Sequence, residues 1–431
     1  MFRKRLQLGL IHVAVAMTLV PINSTLNRVM IKELGIAATV VAFLAILPYL
    51  FSPLQVAIGS FSDRYPVFGF RRSPYILFGL ALCVIGVIVS PQVAFLMVEQ
   101  PVLGYLTAAL AFGAWGMGYN LSSVSYLALA NELSGEQGRG KTIATMWFMM
   151  IVSIIFTAIS ISRLVEPYSP AALQTAFVEV GLVALGLGSL GLLGLESRHQ
   201  TTERGQENYS LKQMAAVILK SRQSVTFFWY LALLLAAILG QDVLLEPFAA
   251  EAFGMNVQQT TRITSIWGVS VLLTILLAGA LERRAPRKLV AQTGNLSILA
   301  AFLLILSSGM IGSTGIFYIG VILLGAGTGL STVANLALMF DLTLPGYVGL
   351  FIGAWGVANS ISRLTGTLLA GIARDSVMLL TGNALTGYLF VFGIESIMVG
   401  IAALMLLGID VQAFRQQVET PSIVERAALA D

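Results

Sequence analysis

The chain has 431 residues, 57% hydrophobic and only 11% charged, with a net charge of +4 and a single cysteine. Soluble domains carry about 25% charged residues, and a water-exposed fold would have to display large apolar patches at this composition. One cysteine excludes an intramolecular disulfide, and the modest positive charge sits in short polar breaks between apolar runs, which gives no sign of a nucleic-acid partner.

The apolar runs are long enough to cross a bilayer as helices, where roughly 20 residues are needed. They lack the ten-residue alternation of an outer-membrane barrel. In chain order, spans are expected near 8–28, 39–60, 74–90, 102–130, 142–163 and 173–195. A polar segment, His199 to Arg222, follows. A second set is expected near 224–245, 262–281, 288–310, 315–340, 349–372 and 386–409. The start, Met1-Phe-Arg-Lys-Arg5, looks like a signal-peptide n-region, but the apolar stretch runs on through Pro21 without a small-residue cleavage site. It reads as a retained first span. Cys83 lies in an apolar run and reads as a small buried hydrophobe.

The expected organisation is an N-terminal six-helix half (1–196), a linker (197–222), a C-terminal six-helix half (223–411) and a polar tail (412–431). Of the 25 Lys and Arg residues, all but Arg28, Lys32, Arg163, Arg262, Arg363 and Arg374 fall on the side of the termini. That bias predicts cytoplasmic termini and membrane lipid as the surrounding solvent.

The two halves repeat. Residues 116–133, GMGYNLSSVSYLALANEL, align without gaps with 325–342, GAGTGLSTVANLALMFDL. Nine of the 18 positions are identical, and Glu132 faces Asp341. Between the second and third spans of each half lies a matching polar loop. The first copy holds Asp63, Arg64, Arg71 and Arg72; the second holds Glu282, Arg283, Arg284, Arg287 and Lys288. Same-orientation repeats of six spans are the parallel plan of facilitator carriers. The fold class expected is therefore all-α, with twelve transmembrane helices in the major facilitator arrangement. Asp63, Arg64, Arg71, Arg72, Glu132, Arg139, Glu282 and Arg283 are candidate gating residues, which pin the halves in one state and release them in another. The arginines alternatively serve only to fix topology. The glycines of spans 4 and 10 suit close helix packing.

Several strings carry a narrower resemblance. These are Asn23-Ser-Thr-Leu-Asn27-Arg28, Gly69-Phe-Arg-Arg-Ser-Pro-Tyr-Ile76, Leu129-Ala-Asn-Glu132-Leu and Gly240-Gln-Asp-Val-Leu-Leu-Glu-Pro-Phe248. Together they resemble the PucC/LhaA-type (bacterio)chlorophyll delivery family of the major facilitator superfamily. The resemblance implies a role in assembling light-harvesting or photosystem proteins, a chlorophyll-type pigment as the bound group, and a photosynthetic (thylakoid or intracytoplasmic) or plasma membrane as the location. At about 0.8 kcal/mol per CH₂, moving a tail of about 20 carbons into water would cost on the order of 15 kcal/mol. Lateral entry from lipid, or hand-off to a client protein, avoids that cost.

Candidate binding residues are His12, Asn27, Arg28, Arg163, Gln241, Asp242, Glu246 and Arg363. Asp242 and Glu246 are four apart, which places them on one helix face, and Pro247 would end or kink that helix. Such acids form either a polar site for a client loop or pigment ring, or a lock paired to Arg28, Arg163 or Arg363. Arg163 and Arg363 end identical Ser-Ile-Ser-Arg strings. His12 is a possible magnesium ligand or a packed histidine. Glu179 and Glu395, inside spans 6 and 12, are either proton sites or groups that pair locally or sit near a span end. The sequence holds no phosphate loop, paired cysteines, clustered metal ligands or nucleophile elbow, which argues against an enzyme and against ATP-driven transport. A proton-coupled transporter and a pigment-free scaffold remain the alternatives to pigment delivery.

Overall fold

The structure, a computed structural model, describes residues 2–54, 58, 61–62, 65–198, 222–281, 285–342 and 348–410. Its order is α1 (Phe2–Glu33), α2 (Ala38–Ala45), α3 (Leu47–Leu50), α4 (Ser73–Glu99), α5 (Pro101–Gly135), α6 (Gly140–Leu164) and α7 (Pro170–Leu192). There follow α8 (Arg222–Gly240), α9 (Leu245–Phe253), α10 (Val257–Leu281), α11 (Arg287–Ile311), α12 (Thr314–Asp341), α13 (Val348–Thr381) and α14 (Ala384–Leu407). Ten helices among the described residues are long and apolar enough to cross a membrane. The other two expected spans fall on α2–α3, which is broken at Ile46, and on α13. Side chains such as Leu380, Leu110 and Leu404 are largely exposed on the flanks, as lipid contact requires.

Helix α4 runs on to Glu99, past the end expected near residue 90, because Pro91 is accommodated inside the helix. Ser90 turns its hydroxyl back onto the Val87 carbonyl at 2.8 Å. Between α5 and α6 the chain breaks at Gly135, where φ is 61° and ψ 171°, a conformation open to glycine.

The repeated string does the same work in both halves. Gly79 of α4 crosses α5 so closely that a Cβ would lie 2.7 Å from the Gly118 carbonyl oxygen and the Ser122 nitrogen. Gly294 of α11 crosses α12 in the same way, 3.0 Å from the Gly327 oxygen and 2.8 Å from the Ser331 nitrogen. At the end of each string the acid meets an arginine. Arg72 pairs with Glu132 at 2.9 Å and Arg287 with Asp341 at 2.7 Å. The Arg72–Glu132 pair lies within the N-terminal helices, and Arg72 also reaches Ser62 at 2.6 Å. Glu196 accepts the backbone N–H groups of Arg71 at 2.8 Å and Ser73 at 2.7 Å, which caps the start of α4 from the chain segment after α7. Of the candidate gating residues, Asp63, Arg64, Glu282 and Arg283 lie outside the described residues, as does the side chain of Arg139.

Substituting Gly79 by Ala is expected to cost about 1–3 kcal/mol by overpacking. Gly113, which has nothing within 4 Å of its would-be Cβ, should tolerate Ala or gain from it, by up to about 1 kcal/mol. Thermal unfolding of both variants in the same detergent checks this. Equal midpoints would show that the α4–α5 crossing does not require glycine.

Candidate functional site

Two backbone discontinuities build the site. In α1 the helix widens to π-helical turns over Pro21–Leu26 and Val29–Glu33, starting where Pro21 lacks an N–H. After α8 the chain tightens into a 3₁₀ turn, Gln241–Val243, before α9 begins. Such irregular turns survive in a membrane only where protein surrounds them. Here the two distorted segments pack against each other.

Glu246 sits between them, almost fully buried. Its Oε1 accepts hydrogen bonds from Ser24 at 2.5 Å and Thr264 at 2.7 Å. Thr25 and Thr261 meet beside it at 3.1 Å. One step along the chain, Asp242 pairs with Arg363 of α13 at 2.8 Å and accepts from Gln241 at 3.0 Å. The Arg363 guanidinium lies 4.7 Å over the Tyr49 ring. Ser24, Tyr49, Gln241, Asp242, Glu246, Thr264 and Arg363 line a cavity of about 190 Å³ together with Asn23 and Trp267. The Glu246 Oε2, Gln241 Oε1 and Trp267 Nε1 atoms are buried without a partner among the described residues.

The expectation that Asp242 and Glu246 share one helix face is corrected. The 3₁₀ turn separates them, so Asp242 turns to α13 and Glu246 to α1 and α10. The break precedes Pro247, which falls in the first turn of α9, where its missing N–H is harmless. Arg163 is also corrected: it is exposed near the end of α6 and joins no member of the site. The identical strings ending at Arg163 and Arg363 thus place one arginine outside and one inside.

Beyond this layer, toward the end of the bundle farthest from Phe2, further contacts tie the halves. Arg28 is buried, pairs with Glu33 and donates to the Met255 carbonyl at 3.1 Å. Lys32 pairs with Glu251. Asn27 is buried and donates to the Asn23 carbonyl at 3.1 Å. Nearby, burial and the Glu33 carboxylate raise the Tyr168 phenol above its ordinary pKa, opposed by Arg28. Asp375 of α13 accepts the Ala38 N–H at 3.2 Å and the Thr39 N–H at 2.7 Å. It therefore caps α2 from the other half of the chain, where Ala37 offers no side-chain cap of its own. Between described residues, the hydrogen bonds joining the halves run from the Ser24–Glu246 layer to this distal end.

His12 lies apart from the cavity. It is buried between Tyr126, 5.2 Å away, and the edge of Trp147, 6.1 Å away. Glu395 is buried in α14 with neither oxygen hydrogen-bonded among the described residues, and its Oε1 packs where a Gly240 side chain would be. Glu179 is exposed and has no partner among the described residues. Local pairing of these two acids is therefore not found. Ser24, Thr264, Tyr49 and Asp375 were not expected from sequence. Ser24 stands in the quoted string after Pro21, and a proline followed by clustered Ser, Thr and Asn inside a span was the available signal.

A family model described as PUCC protein matches residues 25–414. The chain belongs to that family. Protein PucC of Rhodobacter capsulatus is 29% identical over 419 residues, spanning 92% of this chain and 90% of that relative. Another similar protein of that species, named Bacteriochlorophyll synthase 44.5 kDa chain, is 27% identical over 425 residues and 97% of each chain. Among solved structures, a bacterial homolog of the human lysosomal transporter Spinster, inward-facing and unoccupied, superposes with a TM-score of 0.72 at 10% identity, over 97% of this chain and 98% of that one. The fold of this PUCC-family chain is thus that of the major facilitator transporters. Family and fold suggest a non-enzymatic, multi-pass integral membrane protein.

Replacing Arg363 by Leu in this PUCC-family member strands Asp242 in the cavity, at an expected cost of up to about 3 kcal/mol. Adding Asp242→Asn should recover most of it. Thermal midpoints of the two single variants and the double variant check this; an Arg363→Leu protein as stable as the parent would show that the pair does not lock the site.

Proposed function

We propose that this protein binds a (bacterio)chlorophyll-type pigment and delivers it to light-harvesting or photosystem polypeptides. The supporting observation is membership of the PUCC family over nearly the whole chain, with relatives named for PucC and for bacteriochlorophyll synthesis. The Ser24–Glu246–Thr264 and Asp242–Arg363 groups act in this reading as a lock between the halves rather than as the pigment pocket. Glu246 Oε1 is held by Ser24 and Thr264 and Asp242 by Arg363, and a cavity of about 190 Å³ is below the roughly 300–1,000 Å³ of ligand pockets. In this reading both termini are cytoplasmic, which the Lys and Arg bias supports, and the distal contacts of Arg28, Lys32 and Asp375 close the opposite face.

A second reading, a proton-coupled carrier of an amphipathic small molecule, is favoured by one observation. Glu395 is a buried carboxyl without a hydrogen-bond partner among the described residues, and it lies within electrostatic reach of Asp242. Intramembrane acids of this kind mark proton paths in transporters.

The deciding experiment is purification from the native membrane in mild detergent, with an absorption spectrum and subunit analysis of the same fraction. The delivery reading expects a red chlorophyll-type band at about one pigment per chain and an attached antenna or photosystem subunit. A colourless preparation without such subunits, together with proton flux in proteoliposomes that Glu395→Gln abolishes, would replace it by the carrier reading.

A further inference from the structure

A second cavity, of about 500 Å³, lies on the flank of the N-terminal helices, between α1, α6 and α7. Its size falls within the range of ligand pockets. Val13 and Met17 of α1 form its floor, and Phe156 of α6, well exposed, stands at its rim. It faces away from the other half of the chain. Ile155 packs on Gly268 and Ser265 of α10, and residues two apart on a helix, such as Ile155 and Thr157, point in roughly opposite directions. In a bundle solvated by lipid, this groove opens sideways into the bilayer.

Four polar groups line the otherwise apolar wall: Ser153, Thr157, Ser160 and Glu179. Helical Ser and Thr hydroxyls commonly bond back to a carbonyl three or four residues earlier, as Ser153 does to Met150 at 2.7 Å. Thr157 and Ser160 have no hydrogen-bond partner among the described residues, and neither has Glu179. Glu179 is the one charged residue lining the groove. It stands nine residues into α7, or about 14 Å along the helix at 1.5 Å per residue. That is near the middle of a hydrocarbon layer of about 30 Å. A carboxyl at that depth is costly and marks a functional position.

The chemistry narrows the occupant. The ligand must arrive from lipid and fill an apolar groove. It must also bring a cation or Lewis acid to a carboxylate at mid-depth. A phospholipid cannot do so, because its charged headgroup stays at the interface. A long-tailed hydrophobe with a metal at its centre can. Magnesium is a hard cation that takes oxygen ligands. Building on the delivery reading, we propose that this flank groove is the docking site for a magnesium tetrapyrrole entering from the bilayer. The Glu179 carboxylate supplies the axial ligand, and the Thr157 and Ser160 hydroxyls donate to the pigment's carbonyl groups.

The test uses the full chain in lipid nanodiscs, titrated with chlorophyll a and with pheophytin a, the same molecule carrying two protons in place of magnesium. The parent protein is expected to take up one chlorophyll a per chain, at least 10-fold more tightly than pheophytin a. Glu179→Leu should reduce that ratio to about one. Glu179→His, which restores a magnesium ligand, should recover the preference with a displaced absorption band, an outcome that a purely structural glutamate would not give. Thr157→Val should weaken uptake several-fold. Size-exclusion profiles confirm folding, and the histidine variant keeps the test decisive if the leucine variant fails to fold. A parent protein that binds both pigments equally, or a Glu179→Leu variant that keeps the chlorophyll preference, overturns the groove assignment and leaves the delivery reading standing. A parent protein that binds neither pigment overturns the delivery reading itself.

Discussion

A helix bundle in lipid has no water with which to satisfy a broken hydrogen-bond ladder, and this constraint organises the structure. Several places where the backbone departs from a regular helix are answered by a side chain from elsewhere. Asp375 caps α2, Glu196 caps α4, and Lys288 donates to the Leu407 and Ile409 carbonyls at 2.8 and 2.7 Å, finishing α14. Asn120 reaches the Pro48 carbonyl at 2.6 Å, beside the break between α2 and α3. Most of these partners are distant in sequence, so the caps also decide which helices lie together. The Asp375 cap is the most consequential, because it joins the two halves at that end.

The two halves are alike in packing and unlike in chemistry. The crossings at Gly79 and Gly294, and the arginine–acid pairs at Glu132 and Asp341, are copied. The central site is not. Its acids, Asp242 and Glu246, come from the second half, while the hydroxyl of Ser24 and the ring of Tyr49 come from the first. Tyr230, Asn295, Asn335 and Ser331 form a buried polar knot among the C-terminal helices, with Tyr230 donating to Asn335 at 2.8 Å and Ser331 to Asn295 at 3.0 Å. The aligned N-terminal positions for Ser331 and Asn335 are Ser122 and Tyr126. Ser122 instead donates to the Ile76 carbonyl at 2.9 Å, and Tyr126 packs on His12. A repeated scaffold thus carries two different interiors.

This explains what was legible in the sequence. Apolar runs and the repeated glycine string depend on local composition and on contacts between neighbouring spans, and these read directly. The pairing of Asp242 with Arg363 was among the expected partners because few cations stand within spans. The separate destinations of Asp242 and Glu246 were not legible, since a 3₁₀ turn of three residues rotates one against the other without a glycine or proline inside it. The end of α4 was misplaced because Ser90-Pro-Gln resembles a loop, whereas a proline whose neighbours pack well can sit inside a membrane helix. The trans caps depend on tertiary contact alone. Nothing near Ala37 announces Asp375.

In the delivery reading proposed above, the two cavities would serve two separate tasks. The central one is small, polar and closed by contacts between the halves, which suits a switch. The flank groove is larger, mostly apolar and confined to one half, so it can be filled without moving the halves apart. A pigment with a long hydrocarbon tail gains nothing from an aqueous central path, since exposing that tail would cost on the order of 15 kcal/mol. A carrier fold can therefore serve delivery within the membrane plane if its ligand enters from the side. In that case the Ser24–Glu246 layer governs the shape presented to a client protein, rather than access for the cargo.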